Sequence, residues 1–473
     1  MILKINHDKQ YEVRCMTDLF YPGIKPNENS ENSDFILKSI LSDNNKACET
    51  VIELGDKIYR SAEIADDNSD DELKRIIKQS FYNAASEQTG VFPPYGILTG
   101  IRPSKIASRL LLQLQDDSAA IKVLIDRYKV KEKKAILCLR VAKTEQIVKA
   151  ELKSNYVNLY ISIPFCPSRC NYCSFVSVSV EKSLKLIPEY LAALKNEISS
   201  IKEKIDNEGQ ILKTIYIGGG TPTVLSAEQI NDLLLYLDKC FNLNSLDEVT
   251  IEAGRPDTID AEKLKVMSLV NNLRISINPQ TLSDKVLENI GRAHTAKQFF
   301  ECFELARKSG FRNINVDIIT GLPSDDELSF ENTVKGILSL SPENITVHAF
   351  AVKRAAGFTK SENDIYSAKS EAADRMNEYI SNTFSGIYEP YYIYRQRNTI
   401  SNLENAGYAR DNKICLYNIY MMNEIASVYG AGAGAVSKFI NLETGKITRE
   451  TNCKYPYEYL NRTKGNSLKK FEL

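Results

Sequence analysis

The sequence predicts an α/β fold: a partial (β/α)6 barrel, with an N-terminal α+β domain before it and a C-terminal mixed region after it. Three observations carry this expectation. From residue 156 onward, six short apolar runs recur, each bounded by turn residues. Amphipathic helical segments lie between them, and strands alternating with helices imply crossovers and a parallel sheet. The residues capable of chemistry cluster just after the strand ends, on the face where such barrels carry their sites.

Length and composition set the frame. The chain has 473 residues, more than one ordinary core holds, so two or three domains are expected. It is 43% hydrophobic and 26% charged with no Trp, the balance of a soluble globular protein. A formal net charge of −1 argues against a nucleic-acid partner bound through bulk electrostatics. No apolar run approaches membrane-spanning length and the first residues lack a secretory pattern, so no membrane partner is expected. Of the ten cysteines only Cys166, Cys170 and Cys173 cluster, which is not a disulfide framework and fits a reducing, cytoplasmic compartment.

In chain order, residues 1–150 form a region of their own. Ile2-Leu-Lys-Ile-Asn and Lys9-Gln-Tyr-Glu-Val-Arg read as a short hairpin around Asn6-His-Asp-Lys, with His7 an ordinary turn residue. A polar loop follows at 23–34. The acidic run from Ala65 leads into a helix at about 70–88, a second helix starts after Ile101-Arg-Pro-Ser, and 131–151 is a third. No metal-ligand spacing or nucleophile pattern occurs in this region. The barrel spans 155–355, with strands at 159–164, 214–217, 248–252, 273–278, 313–319 and 344–350. Its helices fall at 185–205, 226–240, 260–269, 296–309 and 330–340.

The first barrel strand runs into Pro164-Phe-Cys-Pro-Ser-Arg-Cys-Asn-Tyr-Cys, a C-x3-C-x2-C pattern. Three thiolates this close can sit on three corners of an iron–sulfur cube, which takes four ligands, leaving one iron open to an exogenous group. Zinc would also need a fourth ligand, and no partner pair is evident nearby. Gly218-Gly-Gly-Thr-Pro-Thr follows the second strand, Glu252 ends the third, Gln280 follows the fourth, and Asp317 ends the fifth. Taken singly, Glu252, Arg292 and Asp317 read as caps or surface ion pairs, and their weight comes from converging on one face. His294 is open between a structural role and a ligand contact. His348, in the apolar sixth strand, reads as a hydrogen-bonded core residue.

These motifs resemble the radical S-adenosylmethionine (SAM) superfamily, through the three cysteines, Tyr172 before the third, and the Gly-Gly-Gly-Thr-Pro turn. Tyr160-Ile-Ser-Ile-Pro-Phe-Cys, Arg274-Ile-Ser-Ile-Asn-Pro-Gln and Asp317-Ile-Ile-Thr-Gly-Leu-Pro resemble its oxygen-independent coproporphyrinogen III dehydrogenase (oxidase) family. Gly96-Ile-Leu-Thr-Gly-Ile-Arg-Pro-Ser-Lys, Tyr391-Tyr-Ile-Tyr-Arg-Gln-Arg-Asn and Gly432-Ala-Gly-Ala-Val-Ser-Lys resemble the HemZ-type branch. The resemblance implies the partial barrel of radical SAM proteins and a 4Fe–4S cluster on Cys166, Cys170 and Cys173. It implies one or two SAM molecules lined by Tyr160, Tyr172, Gly218, Gly219, Gly220, Thr221, Glu252, Gln280, Arg292 and Asp317. Cleavage of SAM would yield a 5′-deoxyadenosyl radical that takes hydrogen from a propionate β-carbon. Electron loss and CO2 release would then leave a vinyl group, converting coproporphyrinogen III to protoporphyrinogen IX in heme biosynthesis. A reduced flavodoxin- or ferredoxin-type donor and a monomeric enzyme are implied with it. Two departures from the HemN-type pattern are Ser162, where that branch has a histidine, and Phe175, where it has a further cysteine.

Residues 356–473 are expected to cover the substrate. Tyr388-Glu-Pro-Tyr-Tyr-Ile-Tyr-Arg-Gln-Arg holds aromatics with Arg395 and Arg397, either a wall for a propionate-bearing macrocycle or an edge strand with solvated arginines. Tyr429-Gly-Ala-Gly-Ala-Gly-Ala lacks the βαβ context of a dinucleotide loop and reads as a close backbone approach to the barrel or a ligand. A rival function is heme binding and transfer, as in a chaperone branch with an His-Asn-x-x-Tyr-Trp motif. Here Tyr417 stands where that histidine would be. A second rival is a radical SAM enzyme acting on heme itself, by methyl transfer or ring opening.

Overall fold

The computed structural model describes residues 1–24, 33–42, 44, 46–173, 178–179, 183–351, 363–396 and 399–464, with the backbone alone at 363–370 and 463–464. Two compact units result, residues 1–142 and 143–473.

In the first unit, strands β1 (Ile2–Ile5), β2 (Phe35–Leu41), β3 (Ala47–Leu54) and β4 (Lys57–Ile64) form one sheet in that order. The first pair is parallel and the others antiparallel. Helices α1 (Gln10–Phe20) and α2 (Asp70–Thr89) pack with it around Leu37, Ile52, Ile76, Ile77 and Phe81. The expected hairpin is corrected here. From Gln10 the chain is helical, because Val13, Met16, Thr17 and Phe20 recur at helical spacing and bury one stripe. The strand partner of β1 is β2, with Ile2 opposite Ile36. His7 is half-buried at the entrance to α1, its Nε2 3.0 Å from Ser39 Oγ and its Nδ1 accepting from Lys9 N at 3.2 Å. Helix α2 begins at Ser69, whose hydroxyl accepts from Glu72 N, and stops at Gly90 in the left-handed region (φ 71°). Helices α3 (Ser104–Leu114) and α4 (Asp117–Asp126) follow, and the division between the units falls within α5 (Glu132–Ala150).

The second unit is built on an eleven-stranded sheet. Its centre is six strands side by side in chain order: β5 (Tyr156–Ile163), β8 (Ile211–Gly219), β9 (Glu248–Glu252), β10 (Arg274–Ser276), β11 (Ile314–Thr320) and β12 (Asn344–Ala349). All are parallel. Between β5 and β8 lie the two-residue strands β6 (Phe165–Cys166) and β7 (Val178–Ser179), paired with each other, and α6 (Ile187–Asn207). The later crossovers carry α7 (Ala227–Phe241), α8 (Ala261–Met267), α9 (Asp284–Asn289), α10 (Ala296–Lys308) and α11 (Glu327–Leu340). Capping boxes at Ser226 and Thr295 start α7 and α10, satisfying backbone N–H groups that a helix start leaves orphaned. The sheet does not close, so the structure is the expected partial barrel. Ile161, Ile215, Ile275, Ile314 and Ile345 all lie at 0% exposure in the main core.

The C-terminal region extends both edges of the barrel sheet. After α12 (Asn363–Phe384), strands β13 (Glu389–Arg395) and β14 (Glu404–Ala409) add antiparallel beyond β12. On the other side β15 (Ser427–Ala431) pairs parallel with β5, followed by β16 (Val436–Ile440) and β17 (Ile447–Thr451). Helix α13 (Leu416–Asn423) connects the two sides and α14 (Pro456–Lys464) ends the described chain. The glycine-rich stretch makes the close approach expected of it, to the barrel. A Cβ on Gly432 (φ 91°) would come within 2.6 Å of Ser162 O, and the buried Glu197 accepts from Gly432 N at 2.7 Å.

Candidate active site

The site follows from strand alternation. Side chains at every second position of a strand share a face, so the interior of the curved sheet collects Tyr160 from β5, Tyr216 from β8, Glu252 from β9, Asp317 from β11 and His348 from β12. Tyr216 donates to Glu252 Oε1 at 2.7 Å. Burial pushes the Glu252 carboxyl up to about 7 against that hydrogen bond, and the nearby Asp317 adds to the rise. Burial would also raise Asp317, but His348 (Nε2 to Oδ2, 3.7 Å) and Asn315 (2.7 Å) hold it below the usual range. His348 also meets Asn405 Oδ1 at 3.2 Å. It is hydrogen-bonded, as expected, but half-buried beside Asp317 rather than in the core.

Beneath these groups lies an aromatic stack. The ring of Tyr216 lies 4.6 Å from that of Tyr417 and 6.2 Å from that of Tyr160, at 26° and 23°. The floor is a buried ion pair: Arg274 Nη2 donates to Glu248 Oε2 at 3.1 Å. Glu248 also accepts from Leu416 N at 3.0 Å and Tyr417 N at 3.3 Å, satisfying the first turn of α13. Tyr417 is thereby positioned from below.

The cysteine loop leaves β5 directly above. Cys170 is buried, Cys166 and Cys173 half-buried. The glycine turn after β8 is laced to this loop, because Gly220 N donates to Ile163 O at 2.9 Å and Thr221 N to Phe165 O at 2.7 Å. A Cβ on Gly220 would meet Phe165 O at 2.5 Å, so only glycine permits the approach. Gly219 lies at φ 105°, where side chains are strained, and Gly218 faces the Glu252 carboxylate, 2.8 Å from where its Cβ would be. Ser162, in place of the histidine of the HemN-type pattern, points to the sheet side and donates to Ala433 O at 2.7 Å.

Side-chain donors reach the sulfurs of Cys166 and Cys170. Thr221 Oγ1 lies 3.5 Å from Cys166 Sγ and Arg255 Nη1 3.6 Å from Cys170 Sγ. Tyr172 packs against the apolar cluster that includes Ile290, Ile319 and Leu322, with its hydroxyl raised by burial. No three His, Cys, Asp or Glu side chains among the described residues converge as a single metal ion requires. A cube takes its cysteines at separate corners, so a short loop with donors to its sulfurs and one open ligand position suits a cluster better than a lone ion. Buried polar atoms at the strand ends point the same way. Gln280 Oε1 and Arg292 Nε have no hydrogen-bond partner among the described residues. Gln280 sits at φ 70°, pinned between Asp317 O and Ile319 N. The other end of Arg292 is committed to Gly254 O and Asn278 O. His294 is 2% exposed, and burial beside Arg292 pushes its pKa down to about 3, so it is neutral.

Arg395 is set apart from this group. It is buried opposite Glu404 on the face of β13 away from Tyr394, while Tyr394 pairs with Asn405 and faces inward. The alternation of β13 puts Arg395 and Tyr394 on opposite faces. Arg397 and Phe175 lie outside the described residues. Sequence reasoning passed over Tyr216 and Arg255. Tyr216 pairs with Tyr160 across neighbouring strands, a signal visible as equal spacing from Ser162 and Gly218. Arg255-Pro-Asp lies just past Glu252, on the same loop-bearing face.

The comparisons agree with this geometry. The Radical SAM superfamily profile matches residues 160–337, the barrel and its cysteine loop. The chain is 36% identical over 395 residues to the oxygen-independent coproporphyrinogen-III oxidase-like protein HemZ of Bacillus subtilis, covering 83% of this chain and 79% of that one. It is 32% identical to the heme chaperone HemW of the same organism, over 66% of this chain and 85% of the other. The solved structure of coproporphyrinogen III oxidase (HemN) from Escherichia coli shares the fold, with a TM-score of 0.50 at 22% identity over 69% of this chain and 72% of that one. The chain therefore belongs to the radical SAM family of oxygen-independent coproporphyrinogen-III oxidase-like proteins, in its HemZ-type branch. A 4Fe–4S cluster and SAM are the cofactors of that family. No helix among the described residues is long and apolar enough to cross a membrane.

Proposed function

We propose that the protein is an oxygen-independent coproporphyrinogen III dehydrogenase, oxidising two propionates to vinyl groups with release of CO2 to give protoporphyrinogen IX. The observation that carries this is the convergence of the cysteine loop, the orphaned Gln280 and Arg292, and the Glu252–Asp317 pair over a tyrosine-lined interior. When bound, a reduced cluster with SAM supplies a carbon-centred radical able to take hydrogen from a propionate β-carbon. Cys166, Cys170 and Cys173 hold the cluster. Gly218–Thr221 offer backbone close to the open corner, and Glu252 takes a cationic group of SAM. Asp317, Gln280 and Arg292 bind its polar ends, with Tyr160 and Tyr172 as walls. The stacked Tyr160, Tyr216 and Tyr417 offer a flat apolar surface to a macrocycle and exclude water from the radical's path. A low-potential flavodoxin- or ferredoxin-type donor supplies the electron that reduces the cluster, and a separate one-electron acceptor takes the electron that each propionate radical loses as CO2 leaves.

Heme transfer is the alternative that the chaperone relatives raise, and it lacks an imidazole that is both exposed and unpaired here. His7 bonds Ser39, His294 is buried, and His348 is held by Asp317 and Asn405. The test is anaerobic turnover of reconstituted protein with SAM, a strong reductant and coproporphyrinogen III, followed by mass spectrometry. Two successive losses of formic-acid equivalents that require all three cysteines support the proposal. SAM cleavage with the porphyrinogen untouched refutes the substrate and points to heme instead. Stoichiometric heme binding without SAM cleavage refutes the enzyme.

A further inference from the structure

We propose that Arg255, held by Asp257, donates to the Cys170 sulfur and sets the reduction potential of the cluster; this rests on the three cysteines holding one. Arg255 has a side chain only 3% exposed. Its Nε and Nη2 grip the two carboxylate oxygens of Asp257 at 2.9 and 3.0 Å, and Nη2 also donates to Ser168 Oγ at 3.1 Å. A fork fixed in this way has one nitrogen left to aim, and Nη1 lies 3.6 Å from Cys170 Sγ. The guanidinium cannot shed its proton, so burial beside a thiolate fixes a positive charge next to the cluster. Arg255 lies three residues after Glu252, at the end of β9, and caps the turn Pro256–Thr258, where Thr258 N closes on Arg255 O at 2.9 Å.

Hydrogen bonds to cysteine sulfurs and the net charge around a cluster are the protein's levers on its potential. One-electron reduction adds negative charge to the cluster. Arg255 favours the reduced form and Asp257 opposes it, so the pair is a balance with a sign on each arm. Neutralising Arg255 leaves Asp257 unopposed and lowers the potential, whereas neutralising Asp257 leaves Arg255 unopposed and raises it. Residues that merely packed the loop would not move the potential in opposite directions.

The experiment uses the full chain, reconstituted anaerobically as wild type, Arg255→Gln, Arg255→Lys and Asp257→Asn. Iron and sulfide content are measured, and the cluster is titrated by EPR against redox mediators. A tenfold or greater change in the reduction equilibrium is expected, downward for Arg255→Gln and upward for Asp257→Asn, or about 59 mV for each tenfold step of a one-electron couple. Arg255→Lys, which keeps the charge and loses the fork, should fall between wild type and Arg255→Gln. Potentials that coincide with wild type, or that shift in the same direction in both neutral variants, overturn the proposal. Should Arg255→Gln take up no cluster, Asp257→Asn and Arg255→Lys decide it by the same signs. Wild-type protein that takes up no iron overturns the cluster assignment itself, and this proposal with it.

Discussion

Gly220→Ala is the sharpest test of how the glycine turn and the cysteine loop depend on each other. The added methyl group would lie 2.5 Å from Phe165 O, 2.8 Å from Ile163 O and 2.8 Å from Phe165 N. All three are backbone atoms, and the same backbone accepts from Gly220 N and Thr221 N at 2.9 and 2.7 Å. Relief therefore has to break one or both hydrogen bonds and displace the strand end that delivers Cys166. Overpacking of this kind costs about 2 kcal/mol. With a urea dependence of about 2–3 kcal/mol per molar, the unfolding midpoint falls by about 0.7–1 M. Gly218→Ala is the internal control, because the atoms nearest its methyl group belong to the Glu252 carboxylate, at 2.8 Å, the end of a side chain rather than backbone. It should cost under about 0.5 kcal/mol in stability while disturbing the Glu252–Tyr216 bond. The assay is urea unfolding by circular dichroism beside iron content after reconstitution. Equal midpoints for Gly220→Ala and wild type, with full iron uptake, would refute the claim that the turn props the loop.

Other outcomes are expected from neighbouring groups. Glu252 titrates near pH 7 in the ligand-free protein, above an unfolded carboxyl near 4.5, so the folded state holds the extra proton between those values. Its contribution is therefore fully present below about pH 4.5 and is lost as pH rises through 7, by an amount on the order of 1–3 kcal/mol, and Glu252→Gln should flatten that part of the stability curve. Glu248→Ala strands the buried Arg274 and uncaps α13, costing about 3–5 kcal/mol in urea unfolding. Tyr190→Phe removes bonds to Ser162 O (2.8 Å) and Ala433 N (2.9 Å), and should cost about 1–3 kcal/mol by the same measurement.

The comparison of sequence with structure divides by the range of the interaction. Barrel strands and helices were legible because burial on both faces gives continuous apolar runs and burial on one gives helical periodicity, both local signals. The segment after His7 misled because Lys9–Arg14 alone alternates like a strand, and the helix shows only once Met16, Thr17 and Phe20 are counted. Strands β2 to β4 went unread, since β4 alternates between exposed and half-buried residues without a strong apolar face. Arg395 was legible as a charge beside aromatics, but which face it takes depends on the pairing of β13 with β14.

The sequence by itself determined the cysteine spacing, the glycine turn, the α/β alternation and the family, because each is written in residue type and interval along the chain. Only the tertiary structure decided which distant groups meet. The pairing of Tyr216 with Glu252, the tyrosine stack reaching across to α13, and the approach of Arg255 to Cys170 all join residues far apart in sequence. Strand order and register place Tyr160, Tyr216 and Glu252 together, since a shift of one residue would turn each to the opposite face of the sheet, and the loops and helix that the strands carry bring Tyr417, Arg255 and Cys170 to them.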